Sequence, residues 1–173
     1  MNFKTGWHIL YVKPHWEKKV NESLQDISLE SFLPLVKKIR QWSDRKKTIT
    51  SPLFASYVFI NINSPLDFHK SLSVDGICTY VKIGNDYATI REKEINQIKL
   101  LVGDNKIKDI HTNTSLPNIG TIQKIIYGPL KGLECEILKI DNLNKIVVRI
   151  ASLRQDITAT LPNEYLTTFS KTV

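Results

Sequence analysis

A chain of 173 residues suits one ordinary domain or two small ones. Its formal charge of +7 and pI near 9.4 favour an acidic partner, nucleic acid being the commonest, without saying which. No apolar run approaches the roughly 20 residues of a membrane-spanning helix and no apolar leader follows Met1, so a cytoplasmic protein with no membrane partner is expected. Cys78 and Cys135 are too far apart in sequence to form a recognisable metal or redox pair, and are expected to be free thiols that merely pack.

Residues 7–12, Trp-His-Ile-Leu-Tyr-Val, read as a first strand, and Pro14 follows near a helix start, where its missing N–H does no harm. Trp16, Val20, Leu24 and Ile27 recur at helical spacing and predict a stripe facing a sheet. Residues 32–41 alternate loosely, with Leu33, Leu35 and Ile39 on one side, while Pro34 and Lys38 imply an edge strand. Between residues 37 and 47 the six basic residues Lys37, Lys38, Arg40, Arg45, Lys46 and Lys47 face one acid, Asp44; this segment predicts a strand end and a hairpin tip. Residues 56–62 form a strand that is apolar on both faces, with Val58, Ile60 and Ile62 on one and Tyr57 and Phe59 on the other. One face meets the core, so the aromatic face needs a second layer or a partner.

Asn63-Ser64-Pro65 has the chemistry of a turn into a short helix over 66–72. Strands at 79–83 and 87–90 flank Gly84-Asn85-Asp86, a strong hairpin signal. Residues 91–102 are helical by pattern, with Ile95, Ile98 and Val102 on one stripe and Glu92 and Glu94 complementing the helix dipole. The order predicts an α+β fold, an N-terminal α/β sandwich over 1–103 with a mainly antiparallel sheet. The polar stretch 104–117 reads as a linker. Short β-branched strands at 119–126, 135–140, 145–150 and 157–161, with turns at 142–144 and 154–156, predict a small five-stranded β-barrel over 118–173.

Trp7-His8-Ile9-Leu10-Tyr11-Val12-Lys13 followed by Glu17-Lys18-Lys19-Val20, then Phe54-Ala55-Ser56-Tyr57-Val58-Phe59-Ile60, then Ile90-Arg91-Glu92-Lys93-Glu94-Ile95-Asn96-Gln97-Ile98 resemble, in order, the conserved segments of the NusG family of transcription elongation factors. Gly120, Gly128-Pro129-Leu130 and the strand at 134–140 resemble the KOW motif of that family's SH3-like barrel, with Cys135 where the motif usually has Gly. Ala55 and Ser56 replace the Pro and Gly of the central signature, and Ser56 is tolerable there if its backbone is not at positive φ. Pro52-Leu53-Phe54 resembles RfaH-type antiterminators, and Gln41-Trp42-Ser43-Asp44-Arg45-Lys46-Lys47 resembles the UpxY-like group. The narrower likeness implies antitermination on long surface-polysaccharide operons.

The resemblance implies that Phe54, Tyr57 and Phe59 form an apolar pocket that docks on the clamp helices of the largest RNA polymerase subunit, with Ile95 and Ile98 as a second wall. Ordinary core packing is the alternative for all five. His69-Lys70-Ser71 occupies the place of a His-Thr-Thr element that touches the polymerase gate loop, although only the His is retained. Lys13, His15, Lys18 and Lys19 sit on the edge where specialised members contact the non-template DNA strand, with Tyr11 or Trp16 as a stacking surface; Trp16 also fits the helix core stripe. Arg40, Arg45, Lys46 and Lys47 are a second nucleic-acid candidate, against a plain solvated face.

Catalytic readings do poorly. His8, His15, His69 and His111 show no metal-ligand spacing, and no phosphate loop or nucleophile motif occurs, so a non-enzymatic monomer without metal or cofactor is expected. In relatives the barrel recruits ribosomal protein or termination factor Rho. The alternative reading is a KOW-containing RNA-binding or ribosome-associated protein.

Overall fold

The computed structural model describes residues 4–42, 45–113, 122–125, 130–140, 143–161 and 169–171. In chain order the elements are β1 (Gly6–Val12), α1 (Glu17–Asp26), β2 (Ser31–Phe32), β3 (Leu35–Gln41), β4 (Lys46–Pro52), β5 (Tyr57–Ile62), α2 (Pro65–Leu72), β6 (Ile77–Tyr80), β7 (Lys82–Ile83), β8 (Asp86–Tyr87), β9 (Thr89–Ile90) and α3 (Glu92–Gly103). There follow β10 (Lys108–Asn113), β11 (Ile122–Ile125), β12 (Glu134–Ile140), β13 (Leu143–Ile150), a 3₁₀ turn (Ala151–Leu153), β14 (Gln155–Leu161) and β15 (Phe169–Lys171). The fold is α+β with antiparallel pairing in both larger sheets, as the pattern predicts. No described helix is long and apolar enough to cross a membrane.

By contacts the chain divides into two units, one of Met1–Leu35 with Phe54–Glu92 and one of Val36–Leu53 with Lys93–Val173. The first is built on the sheet β2-β5-β1-β6, with β9 pairing the other end of β1. Alternation puts Leu10, Val12, Val58, Ile60 and Ile62 on one face, where they bury against Val20 and Leu24 of α1 and Phe68 of α2. These α1 residues are the predicted stripe, and Trp16 and Ile27 complete it half-buried. Helix α2 starts where the sequence says: Pro65 takes its first turn, and the Ser64 hydroxyl accepts from the Asp67 N–H at 3.2 Å. The Gly84-Asn85 turn joins β7 to β8, with Gly84 at φ +65°, a conformation glycine adopts without strain.

The segment expected as one edge strand over 32–41 is two. β2 pairs with β5, and after Leu33-Pro34 the chain leaves that sheet as β3, which pairs only with β4 among the described residues. Proline has no N–H to continue the β5 ladder, which gives the break its cause. On β3 Val36 is buried and Ile39 is 74% exposed.

The second unit holds the sheet β10-β14-β13-β12-β11-β15. Strand β10 lies inside the stretch read as a linker. Its polar side chains hid it, but an edge strand needs only one neighbour's backbone groups, and β14 supplies them from Lys108↔Thr160 to Asn113↔Asp156. Ile146, Val148, Ile150, Ile157, Ala159 and Leu161 are buried. Gly120, Gly128-Pro129 and Asn142, which the sequence marked as motif or turn, and Asp44 in the basic segment lie outside the described residues.

Candidate functional site

The second face of the β1–β5 pair carries Trp7, Ile9 and Tyr11 opposite Asn61, Phe59 and Tyr57. Trp7, Ile9 and Phe59 are buried. Phe54 meets Phe59 edge-on at 5.6 Å between ring centroids, and Phe32 stacks on it at 6.1 Å. Phe54 and Phe59 are therefore buried side chains. At the open end of the face Tyr57 is only half-buried and Tyr11 is 42% exposed, their rings 6.1 Å apart and steeply inclined. This cross-strand pair is the accessible aromatic surface of the strand. The sequence offers Tyr11 only as a base-stacking surface; its period-two position after Trp7 and Ile9 is the signal that puts it on the face of Tyr57.

The backbone before Tyr57 is set by a strained residue. Ser56 sits at φ +62°, so the condition under which Ser was expected to replace Gly without strain is not met. Two bonds hold it: its N–H donates to Glu17 Oε1 at 2.8 Å, and its carbonyl accepts from the Val12 N–H at 2.9 Å. Glu17 is buried in the first turn of α1, so one carboxylate complements the helix dipole and fixes the turn that aims Tyr57.

The other candidates separate by burial. His69 and Lys70 are exposed on α2, and the Lys70 ammonium donates to the Ile27 carbonyl. Ser71 is fully buried; its hydroxyl contacts the Phe68 carbonyl at 2.8 Å and the Tyr80 hydroxyl, so it serves the core and not the surface. Burial pushes the Tyr80 phenol up to about 12, partly offset by the Ser71 bond. Ile95 and Ile98 are fully buried. Glu94 does more than complement a dipole. Its buried carboxylate accepts from the Ser152 hydroxyl at 2.6 Å and the Ser152 N–H at 3.2 Å, tying α3 to the turn before β14.

Lys13, His15, Lys18 and Lys19 are all exposed, and the Lys13 and Lys19 ammonium groups lie 5.3 and 4.2 Å from the Trp16 ring centroid. Trp16 is half-buried, so it serves the core with one part and carries two cations with another. Arg45, Lys46 and Lys47 are exposed at the start of β4, and Arg40 lies on β3. Among the described residues no cluster of side chains could hold a metal ion.

The family model described as transcription termination factor NusG matches residues 5–99. No curated protein matches the chain. Among solved structures, that of Thermotoga maritima NusG describing its domain interaction aligns over 98% of this chain and 98% of its own, with 23% identity and a TM-score of 0.53. The MjSpt4:Spt5 complex in conformation A aligns over 96% and 97%, with 16% identity and a TM-score of 0.32. The family match spans β1 through most of α3, the region that holds the Tyr11–Tyr57 pair, the Ser56 turn and the α1 cations. The chain belongs to the NusG family of transcription factors.

Proposed function

We propose that this protein binds RNA polymerase during elongation and suppresses pausing or termination, acting on surface-polysaccharide operons as RfaH-like and UpxY-like factors do. The observation that carries the reading is the Tyr11–Tyr57 pair, one ring exposed and the other half-buried, within the family-matched region. An aromatic pair at the end of an otherwise buried face offers apolar area to a helical partner, and here that partner is the clamp helices of the largest polymerase subunit. A factor that travels with polymerase needs such an anchor, because exposed charge contacts are screened by salt. His69 and Lys70, exposed on α2, are the residues offered to the gate loop. Lys13, His15, Lys18 and Lys19 are offered to the non-template strand, with phosphate contacts as their chemistry. The six-stranded sheet of the second unit is proposed to form the KOW barrel and to recruit ribosomal protein or Rho.

The test is binding of the full chain and its Tyr57→Ala variant to a reconstituted elongation complex with an exposed non-template strand. Wild-type binding is expected, with at least a tenfold loss in the variant and a thermal midpoint close to wild type. A stability loss of about 3 kcal/mol or more, the size of a core truncation, would make Tyr57 a packing residue. No wild-type binding would transfer the protein to the RNA or ribosome reading.

A further inference from the structure

The ribbon of β3 and β4 is rooted by buried Val36 and Leu53, and every described residue from Lys37 to Thr48 whose side chain is placed is exposed. A two-stranded ribbon with neither face covered gains little from a core of its own. Yet it holds Ile39 and Trp42 in water, Trp42 at 54% exposure beside the tip, where its N–H donates to the Arg45 carbonyl at 2.8 Å. Cations stand on both strands: Lys37 and Lys38 on β3, Lys46 and Lys47 on β4, and Arg45 just before them. Lys37 also donates to Asn105 Oδ1 at 3.0 Å, which steadies the root end.

Two strands of seven residues make a rod roughly 23 Å long with backbones roughly 4.8 Å apart, narrow enough for the roughly 12 Å major groove of duplex DNA. A groove has a phosphate row on each wall, and a ribbon with cations on both strands answers both rows. A single strand offers only one. We propose that the β3–β4 ribbon inserts into a groove of duplex DNA, its lysines and Arg45 on the two phosphate walls and Trp42 leading as an apolar contact against the bases. This surface shares no residue with the Tyr11–Tyr57 pair or the α1 cations, and its test needs no polymerase.

The experiment is fluorescence anisotropy of a labelled DNA duplex titrated with the full chain at several salt concentrations from roughly 50 mM upward, where phosphate contacts dominate. The variants are Trp42→Ala, the pair Lys46→Glu with Lys47→Glu, and the pair Lys18→Glu with Lys19→Glu. The ribbon pair is expected to weaken duplex binding tenfold or more and to flatten the log–log salt slope by roughly two, one unit per lost phosphate contact. Trp42→Ala is expected to cost roughly fivefold or more with the slope unchanged. Because these side chains are exposed, circular dichroism and thermal midpoints should stay at wild-type values, which separates lost binding from lost folding. The proposal is overturned if wild-type protein does not bind duplex at the lowest salt, if the ribbon variants bind as wild type, if only the α1 pair loses binding, or if an unlabelled single strand competes better than an unlabelled duplex. Because no polymerase is present, none of these results bears on the Tyr57 anchor.

Discussion

Ser56 is a residue whose side-chain type and backbone disagree. A non-glycine residue in the left-handed region costs of order 1–2 kcal/mol, and the Glu17 carboxylate is what holds it there. Ser56→Gly should therefore stabilise the fold, by about 0.5 kcal/mol once the greater freedom of glycine in the unfolded chain is subtracted. Ser56→Val should destabilise it by about 1 kcal/mol or more, and Glu17→Ala by about 1–3 kcal/mol, because the Ser56 N–H loses its acceptor. Urea unfolding of the three variants checks this; equal stability of the Gly and Val forms would show that the turn carries no strain.

At the scale of elements, the second unit is held by polar groups as well as its apolar face. Strands β12, β13 and β14 are bridged where Arg149 Nε donates to Glu136 Oε1 at 2.8 Å and Nη1 to Asp156 Oδ2 at 3.2 Å. Both carboxylates are nearly buried, and the bond to Glu136 raises the guanidinium pKa still further above its usual range. Arg149→Met keeps the side-chain stem but leaves two acids facing each other across the sheet. A loss of about 2–4 kcal/mol is expected, the range for breaking a buried pair reduced for the part of Arg149 that solvent reaches. Chemical denaturation followed by circular dichroism measures it, and a loss under about 0.5 kcal/mol would mean that solvent screens the network. Helix α3 is tied to the same unit by Glu94 on Ser152 and by Lys93 on Glu134 at 2.8 Å. The second tie is exposed, so the first is the stronger.

For the whole molecule, stability should fall at alkaline pH in both units. Burial pushes the Cys135 thiol from 9.0 up to about 12, and the Tyr80 phenol from 10.0 up to about 12. Each group is neutral when protonated, and the folded state holds its proton more tightly than the unfolded chain. Their contribution is complete below pH 9, begins to fall for Cys135 near 9 and for Tyr80 near 10, and is gone by about 12. Thermal melts at pH 8 and at pH near 11 should show this, with Cys135→Ala and Tyr80→Phe each losing less than wild type between the two. An unchanged pH dependence in both variants would mean that other groups cause the loss.

Features set by neighbouring residues were legible in the sequence. The cap of α2 needs only Ser64, Pro65 and Asp67, the β7–β8 turn only Gly84 and its neighbours, and the α1 stripe only the helical period. The family was legible for the same reason, since its motifs are short runs. The sequence also showed that β5 is apolar on both faces, but periodicity names a face without saying what covers it. Tertiary structure decided that Phe54, Phe59, Ile95, Ile98 and Ser71 are interior while Tyr57 and Tyr11 remain accessible. It also left Ile39 in water, recruited polar β10 beside β14, and paired Glu94 with a serine 58 residues away. In each of these the deciding partner lies far along the chain, and no local propensity reports the burial or the hydrogen bond that a distant segment will provide.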